Sequence, residues 1–409
     1  GYNVAVGFDA GNQVTTGIKN TFIGGLAGDA TTTAEENTAV GYESMTTNTT
    51  GGDNSASGAY SLRQNTTGSN NAAMGYSALE QNTTGGSNTA VGYKALEANT
   101  TASNNTAVGY ASSDSITTGF NNVAVGFGSL GFDQKGNRST AIGYRTLGTQ
   151  RFTSDTDAFN TAVGYDAGLE ITTGTQNTLI GGLSGDAITT GTRNTALGTN
   201  SLGSNTTGDD NVAVGVNALD TNTTGSDNTA IGKNALDDNT TGNSNVAVGL
   251  SALESNTTAS NNTAVGYQAG YSNTTGQENS AFGSKTLRLN TTGRENTAFG
   301  ERALEYNTTA SYNTAIGRAA MILNTTGANN TALGWKALFN NTTANRNIAV
   351  GYQTLYANST GYENVAMGAF SLDANTTGTE NTALGDAAVS ANTTGSKNTS
   401  VGSESLKLN

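Results

Sequence analysis

A parallel β-solenoid, an all-β fold, is what this sequence predicts, and three observations predict it. A glycine returns every 17 residues along almost the whole chain. The T-A-V/I-G and N-T-T-G segments around it are rich in β-branched residues. There is no proline among 409 residues. A unit of this length cannot bury an apolar face by itself and must stack on its neighbours. Helical solenoid units need about 33 residues or more, whereas short β-branched runs ending at a glycine or a polar pair suit stacked strands. Proline would delete a ladder hydrogen bond in every coil it entered.

The unit, written from its asparagine, is N-T-A-V-G-Y-x-A-L-x-x-N-T-T-G-x-x, as in Asn88–Asn104; positions one to seventeen are counted from that Asn. Glycines from Gly7 to Gly143 and from Gly164 to Gly402 keep the step of 17, which makes 24 copies. The one longer interval carries a four-residue insertion within 148–160. Each copy reads as a coil with two short strands and two or three turns. At about 4.8 Å per stacked strand the array would form a rod of roughly 115 Å. No linker composition interrupts it, so residues 1–409 read as a single continuous array. Because the chain starts at Gly1-Tyr2-Asn3 and stops at Leu408-Asn409 inside the pattern, it reads as an excerpt of a longer polypeptide.

Composition narrows the chemistry. Apolar residues make up 34% and charged residues 12%, a poor supply for one large core. Lacking His and Cys, the chain has no Ser–His or Cys–His nucleophile pair and no imidazole or thiolate metal site. The net charge of −13 argues against nucleic acid as a partner. No apolar run approaches the roughly 18 residues of a membrane span. No catalytic set, metal site or cofactor is expected.

The internal copies allow positions to be compared. Position four is Val, Ile, Leu, Met or Phe in every copy except Ser57 and is expected to point inward. Position three is Ala in 21 copies; where Phe22 and Leu179 replace it, the aromatic after the glycine becomes Gly25 or Gly182. That exchange suggests that positions three and six meet around the corner made by the invariant glycine, of which Gly92 and Gly109 are examples. This glycine needs either φ > 0 or room for a neighbouring backbone. Most copies pair Leu at position nine with Asn at position twelve, as in Leu96 with Asn99. Where Leu is lost, a β-branched residue replaces the Asn: Gly11 goes with Val14, Ser113 with Ile116, Gly168 with Ile171 and Gly185 with Ile188. Volume conservation then places position twelve inside, as a ladder of amides bonded from coil to coil. Gly270 beside Asn273 departs from the pairing. The Asn-Thr-Thr acceptor sequences at Asn82, Asn99, Asn205 and Asn222 would on this reading be internal and free of glycan. The acceptors at Asn104, Asn261 and Asn329 lie in a turn.

The N-T-A-V-G-Y-x-A-L core, as in Asn105–Tyr110, Asn262–Tyr267 and Asn313–Gly317, resembles the head repeats of YadA-like trimeric autotransporter adhesins. It is similar also to repeats of phage tail-fibre and other long surface-fibre proteins. The resemblance covers essentially the whole chain through short motifs, with Asn88 opening the unit. It implies a left-handed β-roll, a homotrimeric fibre, and adhesion or host recognition, on a cell surface or a virion. The adhesin repeat is shorter, so 17 residues imply an extra turn or a larger coil. Trimerisation comes from the resemblance alone.

The strongest candidate contact surface is position six, which reads Tyr76, Tyr93, Tyr110, Phe127, Tyr144 and Tyr165 in six successive coils. Elsewhere it accepts Lys233, Glu301, Arg318 and Asp386, so it reaches solvent. A line of aromatics about 5 Å apart suits glycan binding or packing between protomers; it suits equally a stack that only stiffens the solenoid. The irregular stretch Gly131–Asn160 offers Asp155 and Asp157 as a weak cation pair, with a tolerated insertion as the plainer reading. Asp209-Asp210 and Asp237-Asp238 read as solvated turns rather than as catalytic carboxylates. Thr ladders at positions two, thirteen and fourteen are a poor match to ice, because adjacent threonines point to opposite faces. The function expected is a structural or adhesive extracellular fibre segment, its partners being further copies of itself and cell-surface glycans or matrix. A free extracellular filament, glycosylated or not, and a polysaccharide-degrading tailspike are the alternatives.

Overall fold

The structure, a computed structural model, describes residues 1–407. It divides into two compact units, Gly1–Thr207 and Gly208–Asn409. Among the described residues each unit is all-strand and helix-free, a parallel β-solenoid with a 17-residue spacing. In the first unit the strand Thr89–Val91 lies beside Thr106–Val108, with Thr89 opposite Thr106, Ala90 opposite Ala107 and Val91 opposite Val108. In the second, Thr314–Ile316 and Thr331–Leu333 pair in the same register. Identical positions therefore stack.

Only the T-A-V segment is a strand in each regular coil. The N-T-T-G segment is a bend, although it too bonds to the next coil. Thr100 and Thr101 both donate their N–H to the carbonyl of Thr117, at 3.0 and 3.4 Å. Two successive donors sharing one acceptor cannot continue the alternation that defines a ladder. The remaining path is held by donors such as Gly92 N–H to Met74 (2.8 Å), Leu96 N–H to Ser112 (3.1 Å) and Ala98 N–H to Asp114 (3.0 Å). With so many N–H groups engaged between coils, proline has few harmless places.

The invariant glycine is required twice over. Gly92 has φ +137°, and a Cβ there would lie 2.2 Å from the carbonyl oxygen of Gly109. No side chain fits that gap. Beyond it the chain turns through left-handed residues that are not glycine, Lys94 at φ 59° and Leu96 at φ 52°. A bulky residue at positive φ is strained by about 1–2 kcal/mol. Burial of the leucine, worth about 2 kcal/mol, offsets this.

The interior is thin. Ala90, Ala95, Leu96, Asn88 and Asn99 are all fully buried. Position four is not, which reverses the expectation from its apolar character. Ile23, Met74 and Phe299 there are 41, 54 and 55% exposed. Successive strand residues face opposite ways, so with Ala at position three inside, positions two and four both look outward. The bulk exchange is also relocated. Phe22 is buried and fills the space left by glycines at position nine: a Cβ on Gly11 or Gly28 would meet its ring at 2.8 and 2.5 Å. Leu179 does the same over Gly168 and Gly185, at 2.8 Å each. Gly182 faces open space and takes no part.

Two amide ladders run through the core. At position one, Asn88 donates Nδ2–H to Asn71 Oδ1 (3.1 Å) and to the Ala102 carbonyl (2.9 Å), while its Oδ1 accepts the Asn105 N–H at 3.0 Å. At position twelve, Asn99 donates to Asn82 Oδ1 at 2.7 Å and to the Ala102 carbonyl at 3.2 Å. Asn82, Asn99, Asn205 and Asn222 are buried, so the Asn-Thr-Thr acceptors lie inside. Asn104, Asn261 and Asn329 are exposed.

Candidate functional site

Position six stands at the corner that follows the invariant glycine, and stacking brings successive copies together. Tyr76, Tyr93, Tyr110, Phe127, Tyr144 and Tyr165 form one continuous stack, with ring centroids 5.0–5.5 Å apart and planes within 12° of parallel. Their outer edges are about half exposed. Lys94 lies over the Tyr93 ring at 5.8 Å and Arg145 over Tyr144 at 6.0 Å. Offset stacking and cation–π contacts order the rings before anything binds. In the second unit the column is broken by charge, with Arg318 paired to Glu301 at 3.0 Å, and aromatic stacking is short, as between Trp335 and Tyr352.

Beside this column lies the outer face of the T-A-V strands. Positions two and four carry no charged residue in any of the 24 copies, although the chain has 49 charged side chains and a net charge of −13. Within each unit the face is a row of Thr, Val, Ile, Leu, Met and Phe, with Ser or Ala in a few copies, in strand register. Sequence reasoning missed it by equating apolar with buried. The available signal was variability: position three is held to Ala by a thin core, whereas position four tolerates every size from Ser57 to Phe299.

The long coil has its own chemistry. Gly136–Asn137 and Thr156–Asp157 pair as a short parallel ribbon. Asp155 accepts from Asn137 Nδ2 at 2.5 Å and Asp157 is paired with Arg138, so both carboxylates have protein partners. Among the described residues no group of three or more acidic side chains is arranged to hold a metal ion. The unexpected group is Asp133, fully buried at position twelve. It accepts from the N–H of Gly136 and Phe152, each at 3.1 Å, and from Gln150 Nε2 at 2.7 Å. Burial pushes its carboxyl above the usual range, against the pull of these donors. Gln150 also accepts from Asn160 Nδ2 at 2.9 Å, in the column where Ser139 stands in place of the usual Asn. The joint departure of Ser139 and Gln150 within one coil was the signal for this crossing.

Asp237 is not a freely solvated turn residue either. Asp220, Asp237 and Glu254 occupy position ten in successive coils, and burial, followed by the charges of Asp220, Asp238 and Glu254, pushes the Asp237 carboxyl up to about 6. No family model matches the chain, and no curated protein matches its sequence.

Proposed function

We propose that this chain is a segment of an extracellular structural fibre, of the surface-adhesin or phage tail-fibre kind, whose copies associate through the uncharged outer face of the T-A-V strands. One observation carries the reading. Copies of a chain with a charge of −13 repel one another, and positions two and four offer a surface where no charge has to be desolvated on contact. The β-branched, in-register row suits close packing between sheets, and large exposed apolar patches mark interaction surfaces. The aromatic stack next to it supplies a second contact surface for a glycan or matrix partner. The resemblance to trimeric adhesins makes three the stoichiometry to test.

Light scattering on the purified 41.3 kDa chain is the test. The wild type is expected to form a defined oligomer, and Val91→Glu with Val108→Glu to return it to the monomer while circular dichroism stays unchanged. A wild type that is monomeric at all concentrations overturns the reading. Tyr93→Ala with Tyr110→Ala should weaken attachment to a glycan-coated surface and leave the oligomer intact.

A further inference from the structure

One place on the first unit departs from the smooth coil surface. Positions seven and ten normally carry side chains that cover the corner beside the aromatic stack. Here three of them are glycines in two successive coils: Gly128, Gly131 and Gly148. Gly128 is not demanded by the backbone. Its φ of 58° matches that of Lys94 at 59° and Arg145 at 51°, which bear long side chains. A Cβ at Gly128 would meet nothing nearer than Arg145 Cγ at 3.9 Å. The space left chiefly at Gly128 is a cavity of about 230 Å³; at Gly148, which also lines it, a Cβ would already lie 3.0 Å from Leu169.

Its walls are chemically uneven. The Phe127 ring, 47% exposed, forms one side as a member of the stack, and Phe132, 62% exposed, stands at another. Arg145, whose guanidinium also faces Asp166 at 3.9 Å, and Asp114 stand in the wall together with Ala111, Thr149 and Leu169. The Phe132 ring offers a face to the C–H face of a sugar ring, whereas Phe127, stacked between Tyr110 and Tyr144 at 5.2 Å on either side, offers its edge; a carboxylate and a guanidinium serve the hydroxyls as acceptor and donor. One positive and one negative group give the cavity no net charge with which to select an ion. The volume lies below the roughly 300 Å³ at which drug-sized sites begin, and suits a single ring.

We propose that this cavity binds one neutral pyranose residue of a glycan. It deepens the adhesive reading given above and rests on it, by placing a defined sugar subsite at one coil of the fibre. Asp114 accepts from two adjacent hydroxyls, Arg145 donates to a third oxygen, and Phe132 holds the apolar face with the edge of Phe127 beside it.

Saturation-transfer NMR on the intact chain, with millimolar glucose, galactose, mannose or N-acetylglucosamine as probe and glucuronate as the charged comparison, tests it. At least one neutral sugar is expected to receive saturation. Gly128→Leu fills the cavity at a φ that leucine already tolerates at Leu96, and should reduce the transfer tenfold or more. Phe132→Ala, at an exposed ring, should do the same without touching the core. Tyr312→Ala, at an exposed ring of the second unit outside both the stack and the cavity, should leave it unchanged. Transfer to none of the four neutral sugars, transfer that survives Gly128→Leu, or a preference for glucuronate overturns the proposal. An oligomer that binds no sugar sinks the cavity alone; a sugar-binding monomer sinks the fibre reading and keeps the cavity.

Discussion

The amide column at position twelve differs between the two units. In Gly208–Asn409 it runs unbroken from Asn222 to Asn392, each Nδ2–H donating to the Oδ1 of the coil before, as from Asn307 to Asn290 and from Asn324 to Asn307 at 2.8 Å. In Gly1–Thr207 it is interrupted: Asn48 to Asn99 are bonded, then come Ile116, Asp133, Gln150, Ile171 and Ile188. The end of the bonded run shows a cost, because Asn99 Oδ1 is buried and has no partner where Ile116 follows it. An amide here is fully satisfied only when the next coil also supplies one. A β-branched residue is equally acceptable when position nine gives up its leucine. The core therefore selects matched pairs along the stack.

The largest effect expected from this comparison is at Asn307→Ala. It removes bonds to Asn290, Ala310 and Asn324 and should destabilise its coils by about 3 kcal/mol, against about 1 for Asn99→Ala, whose Oδ1 already lacks a donor. Native-state hydrogen exchange across each set of coils measures both; equal losses would break the comparison. A double-mutant cycle at Ser113 and Ile116 is next. Ser113→Leu overpacks and Ile116→Asn empties the core, each by about 1–3 kcal/mol, while the double variant restores the common pair and gives Asn99 Oδ1 a donor. Additive losses would remove the volume-exchange account. Gly270→Leu sharpens the rule from the other side. Gly270 keeps Asn273 yet lacks leucine, and its φ of 61° is close to the 50° of Leu253. Leu253 leans into the vacated space, 2.8 Å from a Cβ there. Filling it should stabilise by about 1 kcal/mol, read as slower exchange in those coils.

The smallest effect is electrostatic and belongs to the second unit. The Asp237 carboxyl titrates at about 6 when folded against 3.8 ordinarily. The folded state binds that proton more tightly, so its contribution is fully present below 3.8 and lost as pH rises through about 6. Asp237→Asn should flatten the fall in melting temperature across that window. An unchanged slope would assign it to other carboxylates, with Asp133 of the first unit, also raised, tested by Asp133→Asn.

Much of this was legible in the residues. The period of Gly92 and Gly109 specifies the coil, and the exchange of Leu96 and Asn99 for smaller and β-branched partners identifies two inward positions. What misled was position four, where Val91 and its counterparts are apolar and yet look out. A strand three residues long has too little alternation to reveal its facing, and a face that is uncharged in every copy resembles a core in one dimension. Asp133 and Gln150 were hidden for a different reason: their meaning depends on which coils lie above and below.

Sequence alone determined the repeat, the parallel stacking, the need for glycine at the corner and the exclusion of proline, because each is a local steric or hydrogen-bonding requirement met again in every copy. The tertiary structure decided which side of the strand faces water, where Phe22 and Leu179 place their bulk, how Gln150 bridges two ladders, and that Gly128, Gly131 and Gly148 line one cavity. Those outcomes depend on contacts between residues one coil apart, and only the stacked chain brings them together.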